Sequence, residues 1–387
     1  MSFDSLNLQA GLFTLIPAGE SLELKEGSLN GPVQIAYETY GTLSADRSNA
    51  ILLFHALSGS HHAAGITREI PHDQDLWTEE LHLGWWDEYI GPGKVLDTER
   101  YFIICANYLG GCYGSTGPRR VDPATGRPYG SLFPRLRTED QCRVQATLLD
   151  HLGIDQLHAV IGPSVGGMLA QSFATLYPQR VKRVVSIASS WKTTVLNRLL
   201  LFEQILAIEN DPHFHGGDYY HTSGPTYGLA LARMISHKTF VHLDAIERRA
   251  DREVKQAADH FAWYVIRDNV QSYMIHQGKK FVHRFDANTY LRICELWSLY
   301  DPLKEAGVET AEELFAPCRE AGQHWLVFSI DSDYCFFPEE QDCLAAQLRK
   351  GKVKNMHLTV HSDKGHDSFL LEPELFTPHL DHLLNRS

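Results

Sequence analysis

Gly162-Pro163-Ser164-Val165-Gly166-Gly167 is the stretch that decides the fold, because an apolar run precedes it and an amphipathic segment follows it. The apolar run, residues 157–161, is rich in β-branched side chains and predicts a buried parallel strand. The following segment, residues 165–177, carries apolar residues at helical spacing. A sharp turn from strand to helix requires small neighbours around the turning residue, and the glycines supply them. The pattern predicts a G-x-S-x-G nucleophile elbow that presents the Ser164 hydroxyl at a sheet edge, and the alternative is a glycine-rich turn in which Ser164 only caps the helix.

The composition argues against several classes of partner. The chain has 387 residues, of which 43% are hydrophobic, and a formal net charge of −13 at pH 7. That charge argues against nucleic acid or an anionic membrane as the main partner. No apolar run approaches the length of a membrane span, and the first residues lack the basic and apolar regions of a signal peptide. The seven cysteines are scattered without a C-x-x-C pair, which is typical of reduced thiols and predicts a cytoplasmic protein.

Histidine is abundant, with 21 residues, so a metal site has to be considered. His61-His62 and His213-x-His215 are candidate ligand pairs, but neither has companion Cys, Asp or Glu residues at metal-site spacing. We interpret these histidines as polar loop residues, and we predict no metal.

Strand-like runs recur along the chain with helical segments between them. They fall at residues 33–40, 50–55, 101–106, 157–161, 181–187, 324–330 and 355–361. This alternation predicts an α/β fold with a mostly parallel sheet that is covered by helices on both faces. The long gap, residues 191–317, has helix-like patterns at 196–208, 227–236 and 291–297. We predict a core domain of residues 1–190 and 318–387 with residues 191–317 inserted as a helical lid over the serine, and a separate domain is the alternative.

Two polar loops supply partners for the serine. A serine hydroxyl needs a base to act as a nucleophile, and the base needs an acid that orients it, in the chain order Ser, Asp or Glu, His. Loop 331–338 follows the strand at 324–330, and loop 363–369 follows the last strand. We therefore predict Ser164 as nucleophile, His366 as general base and acid, and Asp333 as the orienting carboxylate. Asp331 is the competing acid, although the spacing to the following proline favours Asp333.

Acyl transfer also needs donors for the oxyanion of the tetrahedral intermediate. The backbone N–H of Val165 is one candidate, at a helix N-terminus where the macrodipole helps. The second usually comes from the loop after the third strand, here residues 55–59, and we predict the N–H of Leu57.

Motifs outside the elbow resemble those of one enzyme family. Residues 55–65, HALSGSHHAAG, are similar to the H-A-L-[ST]-G-x-x-H-A-A-G loop of the homoserine O-acyltransferase family. Further matches are GWWD at 84–87, IGPGK at 90–94, LDT at 96–98, NYLGGCYGSTGP at 107–118, DPATG at 122–126, RFDANTY at 284–290 and GHD at 365–367. Each motif is modest alone, but the set is highly specific and extends over most of the chain.

The resemblance implies an α/β-hydrolase fold with a helical lid, usually in a homodimer. It also implies ping-pong transfer of an acetyl or succinyl group to the hydroxyl of homoserine, a step of methionine biosynthesis. Acetyl-CoA or succinyl-CoA is then a co-substrate, and no cofactor is bound. The matching positions carry the catalytic triad onto Ser164, Asp333 and His366, and they indicate that Asp367 meets the amino group of the acceptor.

The chain departs from the family pattern in two places. Pro163 and Val165 flank the serine in an elbow that normally reads G-[GN]-S-[ML]-G-G-M. The family also carries an arginine in the first lid helix that binds the acceptor carboxylate, whereas the corresponding stretch here, residues 202–208, has none. Arg198 or Arg233 is the available substitute, and an ordinary surface or lid salt bridge is the alternative for each.

Acyl transfer to homoserine is the leading function that the sequence predicts. The departure in the lid helix keeps another small hydroxy acceptor, such as serine, as an alternative. An esterase or thioesterase would use the same triad with water as the acceptor. A non-enzymatic binding module is the third class, although the complete Ser, Asp and His set argues against it.

Overall fold

The computed structural model describes residues 6–253 and 264–385. Its central sheet is built from β1 (Gln9–Ile16), β2 (Val33–Tyr40), β3 (Ala50–Leu53), β4 (Phe102–Ala106), β5 (Ala159–Pro163), β6 (Arg183–Ile187), β7 (His324–Ile330) and β8 (Lys354–Val360). Within the described residues these eight strands lie in the order β1-β2-β4-β3-β5-β6-β7-β8. The pairs from β4 to β8 are parallel, and β2 pairs antiparallel with both β1 and β4. The predicted α/β fold with a mostly parallel sheet is confirmed.

The central parallel strands are buried on both faces because they are short and almost entirely apolar, whereas β8 at one sheet edge is only partly buried. In β3 all four residues are buried, and in β5 all five are. Such runs suit the centre of a sheet that helices cover on both sides. By contrast, β1 mixes exposed and half-buried residues and lies at the sheet edge, so the sequence analysis did not identify it. Its Gly11 lies so close to the ring of Tyr37 that a Cβ there would be 2.4 Å from that ring.

Helices flank the sheet and fill the connection between β6 and β7. They are α1 (Thr138–His151), α2 (Val165–Leu176), α3 (Val195–Glu209), α4 (Thr226–Phe240), α5 (Leu243–Glu253), α6 (Asn269–Val282), α7 (Ala287–Leu299), α8 (Pro302–Ala306), α9 (Ala311–Glu320), α10 (Pro338–Lys350), α11 (Ser368–Leu371) and α12 (Thr377–Leu384). One apolar core holds α1, α2, α9 and α10 against one sheet face, and a second core holds α12 against the other face. Of the helices that the structure describes, none has both the length and the apolar character that a membrane span requires.

The predicted lid segment contains helices α3 to α7, which pack mainly on one another, with contacts between α3 and α4, α4 and α6, and α3 and α7. Helices α8 and α9 instead pack against α2 of the core. The predicted boundary at residue 317 lies inside α9. Helix α9 buries Leu314 and Phe315 in the same core as α2 before the chain enters β7.

Candidate active site

Ser164 sits in a strained turn between β5 and α2. Its φ of 58° and ψ of −130° lie where residues other than glycine are uncommon. A Cβ on Gly162 would be 2.0 Å from the carbonyl oxygen of Gly166, and a Cβ on Gly166 would be 2.3 Å from the carbonyl oxygen of Phe54. Both positions therefore need glycine for the turn to close. The Ser164 side chain makes no capping hydrogen bond to α2, so the geometry is that of an elbow and not of a simple helix cap.

Asp333 lies in the loop after β7 and is fully engaged by hydrogen bonds. Its Oδ1 accepts the backbone N–H groups of Cys335 and Phe336 at 2.7 and 2.9 Å. Its Oδ2 lies 2.6 Å from Nδ1 of His366, and both side chains are buried. The competing acid, Asp331, is exposed and instead pairs with His361 at 2.8 Å. The structure therefore brings Asp333, and not Asp331, to His366.

His366 follows β8 in a short turn that α4 of the lid contacts. The rings of Phe240, Phe336 and Phe369 lie 5.9, 5.4 and 5.3 Å from the imidazole. Burial lowers the pKa of His366, but the Asp333 carboxylate beside it outweighs that effect and the net pKa is raised. Nε2 is buried, and no described residue is hydrogen-bonded to it. With Nδ1 held by Asp333, Nε2 is the atom of this ring that can exchange a proton with a hydroxyl.

The loop after β3 lies against the start of α2. A Cβ on Gly166 would be 2.7 Å from the carbonyl oxygen of His55, so the two backbones are in direct contact. Tyr108 donates from its hydroxyl to that same carbonyl at 2.5 Å. Leu57 is buried in this loop, and no described residue accepts a hydrogen bond from the N–H of Leu57 or Val165. Both predicted oxyanion donors are thus unused in the described part of the chain.

Arg233 and Asp367 lie together beside the His366 turn, whereas Arg198 does not. The Arg233 guanidinium stacks on Phe240 and Phe281, 5.3 and 4.9 Å from the ring centroids. Burial lowers its pKa, although the charge of Asp367 acts in the opposite direction. Burial likewise raises the pKa of Asp367 against the nearby positive charges of His366 and Arg233. Arg198 is exposed on α3, and the charges that act most strongly on the pKa of His366 and of Asp367 do not include it.

The sequence analysis missed two charged residues that lie around this cluster. Arg284 pairs with Glu80 at 2.7 Å and reaches the carbonyl oxygen of Ser58 at 3.4 Å, so it connects the lid to the loop that carries Leu57. Glu340, near the start of α10, lies close enough to raise the pKa of His366, and its own pKa is raised by burial to about 7. Arg284 could have been found in its motif, but nothing in the sequence around Glu340 indicates a role.

The histidine pairs that the sequence analysis interpreted as polar loop residues differ from one another. His61 and His62 lie in the loop after β3, but both are buried, and His62 pairs with Glu38 at 2.8 Å. The polar ring is tolerated there because a carboxylate is buried with it. His213 is exposed beside Asp211. Among residues 6–253 and 264–385 no group of His, Cys, Asp and Glu side chains is arranged to hold a metal ion.

Comparison with known proteins was made at the level of families, sequences and structures. A family model described as alpha/beta hydrolase fold matches residues 49–373. A homoserine O-succinyltransferase of Bordetella pertussis is 42% identical over 359 residues, which cover 91% of this chain and 83% of that protein. A homoserine O-acetyltransferase of Citrifermentans bemidjiense is 41% identical over 366 residues, which cover 94% of this chain and 95% of that protein.

Solved structures lead to the same fold. A homoserine O-acetyltransferase from Bacillus anthracis superimposes with a TM-score of 0.85 and 27% identity, over 98% of each chain. Esterase E22 superimposes with the same TM-score of 0.85 and 25% identity, over 98% of this chain and all of the other. The α/β-hydrolase fold that the motifs implied is therefore confirmed. On the strength of this extensive similarity, the chain belongs to the homoserine O-acyltransferase family of α/β hydrolases.

Proposed function

We propose that the protein transfers an acetyl or succinyl group from coenzyme A to the hydroxyl of L-homoserine, through an acyl-enzyme on Ser164. The observation that carries the proposal is the buried pair of Asp333 and His366, 2.6 Å apart, with Nε2 of the imidazole left without a described partner. This pair follows two strands whose carboxyl ends lie at the same sheet edge as the elbow.

The first half-reaction forms the acyl-enzyme. Nε2 of His366 takes the proton of the Ser164 hydroxyl while its oxygen attacks the thioester carbonyl. The N–H groups of Leu57 and Val165 receive the negative charge that develops on the carbonyl oxygen. When the intermediate collapses, the carbon–sulfur bond breaks and His366 returns the proton to the leaving thiolate. Coenzyme A departs as a free thiol, and the acyl group stays on Ser164 as an ester.

The second half-reaction uses the same groups in reverse. His366 takes the proton of the homoserine hydroxyl, and the hydroxyl oxygen attacks the Ser164 ester. Collapse of the second intermediate forms O-acylhomoserine and regenerates the serine hydroxyl with the proton from His366. Since the raised pKa of His366 comes mainly from the Asp333 carboxylate, the imidazolium formed in each half is stabilised where it is needed.

The two charges beside the triad match the head group of an amino acid. Arg233 is a cation suited to a carboxylate, and Asp367 is an anion suited to an ammonium group. Their placement on α4 and on the turn of His366 supports binding of the acceptor head group between lid and core. Serine has the same head group as homoserine and is one methylene shorter, so it is the acceptor to test beside homoserine.

We further propose that the chain forms a homodimer through its lid. Exposed apolar side chains run along α3 and continue onto α4: Val195, Leu199, Phe202 and Leu206, then Tyr227 and Leu231. A contiguous apolar surface of this kind on a folded protein usually marks an interface. An apolar groove of about 970 Å³ between α4 and α6 adjoins the α4 part of that face.

The seven cysteines are all free, which supports a reducing cytoplasmic setting.

The test is release of free thiol from acetyl-CoA and succinyl-CoA, each with homoserine, with serine or without an acceptor. We expect release that depends on homoserine, and we expect Ser164→Ala to abolish it. The relatives named above use either acyl group, so the donor comparison decides between them. Absence of acceptor-dependent release with every pair would overturn the proposal. Release that is fast without any acceptor would favour the hydrolase alternative, which the fold likeness to esterase E22 keeps in view.

A further inference from the structure

The loop that carries Leu57, residues 55–65, is held at both ends by side chains outside it. At its start, Tyr108 donates to the carbonyl oxygen of His55 at 2.5 Å. At its end, the hydroxyl of Tyr40 accepts the backbone N–H groups of Ala63 and Ala64 at 2.7 and 3.2 Å. Tyr40 is the last residue of β2, and it is completely buried. Its hydroxyl therefore links the sheet to the loop backbone.

A buried carboxylate completes this link. Since the Tyr40 oxygen accepts two N–H groups, its own proton points to Oε2 of Glu38, 2.5 Å away. The same Oε2 receives Nδ1 of His62 at 2.8 Å, and Oε1 receives the hydroxyl of Thr67 at 3.1 Å. Burial raises the pKa of Glu38, but the hydrogen bond from His62 and the charges nearby outweigh burial, so the net pKa is lowered. The carboxylate is therefore ionised and accepts every hydrogen bond that it makes.

His62 belongs to the loop itself and ties it to a third segment. Its Nδ1 faces the Glu38 carboxylate, and its Nε2 faces the carbonyl oxygen of His82 at 2.9 Å. Both ring nitrogens thus lie within hydrogen-bond distance of an oxygen atom. The side chains of Glu38 and His62 are 0% exposed. A buried polar pair of this kind contributes little net stability, because desolvation offsets the attraction; its effect is to fix the direction of the groups that it joins.

We infer that Tyr40 and Glu38 are positioning residues for acyl transfer, because they hold residues 62–64 in place and thereby aim the N–H of Leu57 in the same loop. The inference rests on the proposed function and on the proposed role of the Leu57 N–H. Between the two anchors the loop turns tightly, with the N–H of Gly59 donating to the carbonyl oxygen of Ala56 at 3.0 Å. A shift at residues 62–64 is therefore transmitted over a short, stiff connection to Leu57.

Tyr40→Phe tests the inference because it keeps the buried ring and removes only the hydroxyl. Losing one oxyanion donor outright costs about 10²- to 10³-fold in kcat. A misaimed donor should cost less than a lost one. We therefore expect a smaller fall in kcat for thiol release, of about tenfold or more. KM for acyl-CoA should stay within about twofold, because binding of the thioester ground state does not depend on that donor. Rates are expressed per active site, counted by an end-point titration of Ser164 with a fluorophosphonate.

Two further variants separate positioning from folding. Glu38→Gln keeps the size of the side chain but removes its charge, and we expect the same kcat loss from it. This variant tests the inference even if Tyr40→Phe does not fold. Tyr129→Phe is the matched control, because its buried hydroxyl donates to the carbonyl oxygen of Asn30 at 3.1 Å, away from the loop. It should lower the melting temperature without changing kcat per site. If Tyr40→Phe and Glu38→Gln behave like this control, the inference is wrong. If the unchanged protein releases no thiol with any acceptor, the proposed function fails instead.

Discussion

Asp333→Asn exchanges one carboxylate oxygen for an amide nitrogen and leaves the size of the side chain unchanged. Oδ1 accepts the N–H groups of Cys335 and Phe336, so the amide oxygen of the variant will keep that position. The amide NH₂ then faces Nδ1 of His366, where Oδ2 now lies at 2.6 Å. Two donors cannot share one hydrogen bond, so Nδ1 must become the acceptor. The neutral ring will carry its proton on Nε2, and the lone pair that accepts the serine proton is lost.

The size of the effect follows from this change of tautomer. An Asp-to-Asn exchange in a serine triad lowers kcat by about 10⁴, which corresponds to about 5 kcal/mol of transition-state stabilisation. The fold should survive, because both backbone hydrogen bonds to the side chain remain. We expect the free energy of unfolding to fall by about 2 kcal/mol, the contribution of one charged hydrogen bond in a buried setting.

The assay is thiol release from acyl-CoA in the presence of homoserine, with thermal unfolding measured on the same samples. Asp331→Asn is the matched control, since this neighbouring carboxylate pairs with exposed His361. The control should keep its rate within about twofold, as expected for a surface pair. The reasoning is refuted if Asp333→Asn retains activity within about tenfold of the unchanged protein. It is equally refuted if Asp331→Asn is as damaging.

Four other outcomes follow from the site and its surroundings. Arg233→Leu should raise KM for homoserine about 10- to 100-fold, the equivalent of one charge-assisted contact. KM for acyl-CoA should stay unchanged, and the exposed control Arg198→Leu should change neither value. Equal changes in both KM values of Arg233→Leu would contradict this prediction. His366 must be neutral to accept a proton, and the Asp333 carboxylate raises its pKa above that of an ordinary histidine, so kcat/KM should fall as the pH decreases through that raised pKa. Glu340→Gln removes a negative charge that raises the pKa of His366, so the acidic limb of the pH profile should move to lower pH, and an unmoved limb would contradict the assignment. Leu199→Glu with Phe202→Glu places charges on the exposed apolar face of α3 and should convert a dimer into a monomer in light scattering. A monomeric unchanged protein would remove the dimer proposal.

The fold could be predicted from the sequence wherever a strand is a continuous apolar run. The runs at 33–40 and 324–330 match β2 and β7 at both ends, and the elbow was found from its glycines together with the apolar run before it and the amphipathic segment after it. The edge strand β1 was missed because half of its pattern faces solvent. The sequence pattern could not locate the end of the lid, because a helix packed on the core has the same periodicity as one packed on other lid helices. The periodicity of apolar residues shows that one face of a helix is buried, but it does not show which element covers that face.

The proposed triad was reached from the sequence for a similar reason, since chain order in a parallel sheet brings successive loops to one edge. What order could not decide was the choice between Asp331 and Asp333, which lie two positions apart. The structure favours Asp333 because its side chain turns inward and is held by two backbone N–H groups at the start of the next turn. The sequence also could not show that Glu38 anchors the loop that carries Leu57, because Glu38 and its partner in that loop, His62, are 24 positions apart in the chain.

The arginine beside the site lies on a different lid helix from the one that the family pattern indicates. The stretch 202–208 was expected to carry an arginine and has none, which weakened the case for homoserine. In the structure this stretch presents Phe202 and Leu206 to solvent, with 55% and 40% of each residue exposed, and turns Gln204 and Ile208 inward. The guanidinium that lies near Asp367 comes from Arg233 on α4, the lid helix that contacts the His366 turn. A cation for the acceptor carboxylate is therefore present although α3 lacks the arginine, and the choice between homoserine and serine depends on one methylene, a difference of about 1–3 kcal/mol in a well-fitted pocket.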